Sequence, residues 1–273
     1  MLRNLKDLKN YQVSATDGEI GHVKNFYVED EGWVVRYFVV NTGTWLTSRK
    51  VLISPISVHK LDWLARRLSV SISKEQVRNS PDVDLDKPVS RQNEEQYLGH
   101  CGYTTCWGSD GMWGEGLYPY AMAPGFAGYG VDRVKREREP EAYLRDERAR
   151  HRNHDPHLRS CNALTGYHIH ATGGDSGHVS GFFIDDETWP IRYLVVDNSN
   201  WWVGHKVLIA PPWIKGAHWS DQTVSVDLSR ESAKNAPPYD SANDWGRDQE
   251  LSLCGHYGRR GYWAGSHLLE TKI

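Results

Sequence analysis

Between Arg67 and Ile72 the chain alternates strictly: Leu68, Val70 and Ile72 are apolar, and Ser69 and Ser71 between them are polar. A period of two puts one set on a buried face and the other on a wet face, which predicts a half-buried strand. The pattern returns later in the chain, where Val224, Val226 and Leu228 are separated by Ser225 and Asp227. Further strands are predicted over 11–16, 21–28, 33–41, 49–54 and 56–63. The third carries the β-branched and aromatic run VVRYFVV. Thr16-Asp17-Gly18-Glu19 reads as a tight hairpin turn, because glycine supplies the positive φ that such turns need. Thr172-Gly173-Gly174-Asp175 offers the same chemistry in the second half. Pro55 has no ladder donor and marks a break or an edge. Ser73 with Gln76 predicts a capping box opening a short helix that stops before Pro81. Ser229 and Glu231 keep the cap and the acidic first turn.

The two halves are one pattern written twice. A shift of 156 residues lays residues 8–107 on 164–263 without a gap, and 36 of the 100 positions are identical. The pairs include Tyr11 with Tyr167, Gly21-His22-Val23 with Gly177-His178-Val179, and Trp33 with Trp189. They also include Arg36-Tyr37 with Arg192-Tyr193, Lys50-Val51-Leu52-Ile53 with Lys206-Val207-Leu208-Ile209, and Trp107 with Trp263. That period is too long for a solenoid, so each copy is expected to be a domain. The copies are placed at 1–110 and 158–273. A glycine- and aromatic-rich, then charged, linker is expected over 111–157. Six short strands in about 75 residues predict a small closed barrel that hides its edges. The fold expected is mainly β: two tandem small β-barrels, each followed by a short helix, related by internal duplication.

At these residues the chain resembles the PRC-barrel family, named for the cytoplasmic domain of the photosynthetic reaction-centre H subunit. The family also includes the C-terminal domain of the ribosome maturation factor. The resemblance rests on ATDGEIGHVKNFYVED with ATGGDSGHVSGFFIDD, on WVVRYFVVNTGTW with WPIRYLVVDNSNWW, and on KVLISP with KVLIAP. It implies a small β-barrel used for docking and assembly. The chain departs from both relatives, lacking the membrane helix of one and the N-terminal barrel of the other.

Composition narrows the classes further. The 25% charged and 39% hydrophobic residues are those of a globular chain. A formal net charge of −3 gives no global attraction to nucleic acid or anionic membrane. No run approaches the roughly eighteen apolar residues needed to cross a bilayer, and the start lacks a secretory pattern, so a cytoplasmic address is expected. The four cysteines show no CxxC spacing, which suits reduced thiols.

Candidate chemistry is sparse. His22 and His178 recur, but no orienting carboxylate is identified for them. His100 and His256 are assigned to packing or capping. Arg36 and Arg192 lie mid-strand, with Asp30 and Asp186 as expected partners. His151, His154 and His157, with Cys161 nearby, have helical spacing, but Pro156 interrupts them and no metal site is assigned. Phosphate-loop, GxSxG and HExxH patterns are missing. No cofactor is expected. Tryptophans in predicted loops (Trp45, Trp201, Trp202 and Trp213) are the candidate protein contacts, since interface hot spots favour tryptophan.

These features point to a non-enzymatic scaffold or interaction protein. Its partner is expected to be another protein, with self-association open, membrane insertion excluded and nucleic acid disfavoured. The alternatives are a small-ligand or metal-sensing module, or an RNA- or ribosome-associated factor by analogy with the maturation factor.

Overall fold

The computed structural model describes residues 1–30, 32–80, 89–90, 156–198, 206–240 and 245–263. The chain divides into two compact units. The amino unit comprises Leu8–Cys161 with Glu187–Trp189, and the carboxy unit comprises Met1–Asp7, Asn162–Asp186 and Pro190–Ile273.

In chain order the first strands are β1 (Leu2–Asn4), β2 (Gln12–Ala15), β3 (Gly18–Glu29), β4 (Val34–Asn41) and β5 (Lys50–Ile53). They are followed by β6 (Val58–Asp62), β7 (Arg67–Val70), β8 (Val89–Ser90) and β9 (Pro156–Ser160). The second half adds β10 (His168–Thr172), β11 (Gly174–Asp185), β12 (Ile191–Asp197), β13 (Lys206–Ile209), β14 (Ile214–His218) and β15 (Thr223–Ser229). The protein is thus mainly β.

The amino unit orders its main strands β5-β4-β3-β2-β7-β6, and the carboxy unit orders its own β13-β12-β11-β10-β15-β14. Only β2 with β7 and β10 with β15 run parallel along these paths. The registers agree at the 156-residue offset: His22 faces Asn41 and His178 faces Asp197, while Phe38 faces Ile53 and Leu194 faces Ile209. Each long central strand is half-wet along its first part and buried on both faces at its end, from Phe26 to Glu29 in β3. A strand gains burial on both faces only when further structure covers its outer side.

Local chemistry accounts for the boundaries. Trp33 and Trp189 hold left-handed φ values of 54° and 69°, which start β4 and β12 one or two residues later than the hydrophobic run suggests. The fifth predicted strand opens as a 3-10 turn, Pro55–Ser57, because Pro55 has no N–H and the Ser54 hydroxyl accepts from the Ile56 N–H. Helix α1 (Lys74–Arg78) carries the expected capping box, with Gln76 N–H donating to Ser73 Oγ at 3.2 Å and Ser73 N–H to Gln76 Oε1 at 2.9 Å. Among the described residues two further short helices are α2 (Cys161–Leu164) and α3 (Arg230–Lys234). A longer helix, α4 (Arg247–Tyr257), ends on Gly258 in the left-handed conformation, as helix C-termini favour.

Most of the expected linker at 111–157 lies outside the described residues; its last two residues begin β9. Among the described residues no helix is long and apolar enough to cross a membrane.

Candidate functional site

Each long strand pairs over three residues with a segment from the other half of the sequence, and the segment on β3, β9, is flanked in turn by β8. In the carboxy unit β1 lies antiparallel on β11, with Leu2 opposite Asp185, Arg3 opposite Ile184 and Asn4 opposite Phe183. In the amino unit β9 lies antiparallel on β3, with Leu158 opposite Glu29, Arg159 opposite Val28 and Ser160 opposite Tyr27. The two registers coincide at the 156-residue offset. Arg159 Nε donates to Asp30 Oδ2 at 3.0 Å, and Arg3 Nε sits 3.6 Å from Asp186 Oδ2. Asn25 donates to Ser160 Oγ at 2.7 Å, and Leu158 is fully buried. Each segment therefore brings a backbone ladder, a leucine and an arginine that meets a carboxylate.

This arrangement corrects the partners expected for the mid-strand arginines. Arg36 NH2 lies 3.9 Å from Glu29 Oε2, with both side chains buried, and Arg192 bonds Asp185 at 3.1 Å. The register between β3 and β4 shifts between Tyr27 and Val28, which brings Arg36 beside Glu29. Asp30 and Asp186 instead take the arginine of the incoming segment. A local reading could not place that segment, since it arrives from more than a hundred residues away.

The tryptophans have different fates. Trp45 is half-buried in the 3-10 turn Gly43–Leu46; its indole N–H donates to the Ile20 carbonyl, and Lys74 Nζ stands 4.5 Å from the ring centroid. Trp213, expected in a loop, is instead buried, packed 4.9 Å from Tyr257. Its Pro211–Trp213 turn leads directly into β14, and α4 supplies the tyrosine, so the ring is core. Trp201 and Trp202 lie outside the described residues.

One cluster escaped the sequence reading. Glu250 on α4 is buried; it accepts from the Tyr193 hydroxyl at 2.9 Å and pairs with Arg247 at 2.9 Å. Arg247 lies 4.0 Å from the Trp263 ring centroid, and Arg192 lies 4.1 Å from that of Tyr262. Burial holds the Glu250 carboxyl above the ordinary carboxylate range, against the opposing pull of Tyr193 and Arg247. Burial, then the adjacent glutamate, pushes the Tyr193 phenol up. A signal existed: Arg91-x-x-Glu94 and Arg247-x-x-Glu250 recur at the same offset.

The remaining candidates are arranged simply. His22 is exposed on β3 opposite Asn41, and His178 faces Asp197. His256 shares a hydrogen bond with the Ser232 carbonyl at 2.8 Å, a tie between α4 and α3. The Cys161 and Cys254 thiols are buried, and burial raises both. His151 and His154 lie outside the described residues, as do Cys101, Cys106 and the His157 side chain. Among the described residues no three metal-ligating side chains cluster.

The class defined is a mainly β protein whose halves share one strand order. Residues 2–77 match the PRC-barrel domain family, and a PRC-barrel domain is present there. The match begins at Leu2, so it includes the strand that β11 receives in the other unit. No curated protein matches the chain.

Proposed function

We propose that this chain is a non-enzymatic interaction protein, built from two PRC-barrel units that arose by duplication and serve to dock another protein. One observation carries the reading: the PRC-barrel match over residues 2–77, together with a second half that repeats its strand order and register. On this reading each sheet curls into a small barrel, the repeats run over 1–110 and 158–273, and the protein works in the cytoplasm. The charged side chains that recur in both halves support structural use over catalysis. Arg36 on β4 pairs with Glu29 of β3 and Arg192 on β12 with Asp185 of β11, while Arg159 and Arg3 pair with the aspartates that follow those long strands. The family resemblance adds a docking role.

The contact surface proposed is the turn at Trp45 and its sequence counterpart at Trp201-Trp202. A half-buried indole beside a lysine and an arginine offers the apolar body and charged rim that interface centres use. The test is affinity capture with the full chain from its native cells, compared with a Trp45→Ala/Trp201→Ala/Trp202→Ala variant of unchanged melting temperature. A stoichiometric protein partner lost in the variant is the expected result. Capture of the same proteins by both chains, or of none, overturns the proposal.

A further inference from the structure

We infer that the strand-accepting edge of β11 also receives the amino-terminal strand of a second copy of this chain, so that copies join by strand exchange. The inference goes beyond the docking role, because it needs no outside partner.

Occupants and acceptors are matched in chemistry. The occupants are Leu2-Arg3-Asn4 and Leu158-Arg159-Ser160, identical at two positions and short and polar at the third. The acceptors are Tyr27-Val28-Glu29-Asp30 and Phe183-Ile184-Asp185-Asp186, each ending in the aspartate that meets the incoming arginine. The registers are the same. An acceptor built this way recognises leucine, arginine and a backbone ladder, and at β11 also the Met1 ammonium, 2.7 Å from Asp186 Oδ1; nothing in that set reports which chain the strand belongs to. Within one chain the choice is made by tethering, which sets a high local concentration of the covalently linked strand. A strand from another copy makes the same bonds, and exchange of an identical element between copies introduces no new kind of contact. An empty acceptor would leave a row of unpaired backbone groups at a sheet edge, so filling it from either source is favourable.

The test uses two full-length variants with opposite charge swaps, Arg3→Asp and Asp186→Arg. In each alone, positions 3 and 186 carry like charges, while the Met1 ammonium, 2.7 Å from Asp186 Oδ1, is present in both variants. In a mixture, the altered strand of the first variant meets the altered acceptor of the second, and the unaltered strand meets the unaltered acceptor. The variants are unfolded and refolded separately and together, then weighed by native mass spectrometry. The expected result is a one-to-one pair of the two variants, enriched at least about tenfold over either self-pair, as one charge reversal of roughly 1.4 kcal/mol would give. A mixture that stays at single-chain mass, or that pairs without preference, overturns the inference. If either variant fails to fold alone, recovery of folded protein in the mixture supports it and failure there overturns it.

Discussion

Trp189 shows how far a single side chain can depart from its place in the sequence. It belongs to the second repeat, yet it is fully buried in the amino unit, 4.9 Å from Phe38 edge-to-face, and its carbonyl accepts from the Val35 N–H at 3.0 Å. A left-handed φ at a tryptophan costs energy and persists only where packing holds it. Trp189→Ala should therefore destabilise the amino unit by about 3 kcal/mol, near the low end for aromatic truncation. The low end applies because the indole N–H is buried without a partner among the described residues, and its removal offsets part of the loss. Urea unfolding followed by circular dichroism measures this; a change under about 1 kcal/mol would contradict it. The recurring Gly-His-Val also finds its reason at this scale. A Cβ on Gly21 would overlap the Asn41 carbonyl, and one on Gly177 the Asp197 carbonyl, where adjacent strands come close.

Among the elements, α4 is held by a buried stripe that joins a polar contact to apolar ones. Its covered residues are Glu250, Leu253, Cys254 and Tyr257, so the stripe begins with a carboxylate. Burial raises the folded-state pKa of Glu250, so the folded form favours the proton. That contribution to stability is complete below the ordinary carboxylate range and is lost as pH rises through the elevated value. Glu250→Gln keeps an acceptor for the Tyr193 hydroxyl and removes the titration. Melting curves of both proteins over about pH 4 to 8 should show wild type losing ground to the variant as pH rises. Parallel curves would sink the assignment.

For the molecule as a whole, the amino unit draws Leu158, Arg159 and Trp189 from the second half of the sequence. A fragment of residues 1–110 retains the PRC-barrel match but lacks all three. It is predicted not to fold as a stable monomer, leaving either unfolded chain or a self-associated form with β1 in the vacant acceptor. Sedimentation and thermal melting decide this, and a monomer melting cooperatively near the full-length temperature would refute it.

Strand alternation, the hairpin glycines, the Ser73 capping box and the 156-residue offset are local or periodic signals, and they were legible in the residues alone. The same holds for the PRC-barrel match of residues 2–77. The owner of Leu2–Asn4 and of Trp189 was not legible. Leu2–Asn4 is held by backbone pairing and by the ion pairs that Arg3 and the Met1 ammonium make with Asp186, and the sequence offers two nearly identical acceptors for the strand. Local chemistry cannot choose between equal fits; only the path of the folded chain, which carries each segment to the far repeat, makes that choice. The Glu250 cluster was hidden for a related reason: a carboxylate on a short helix reads as a wet face until Tyr193, 57 residues away, closes over it.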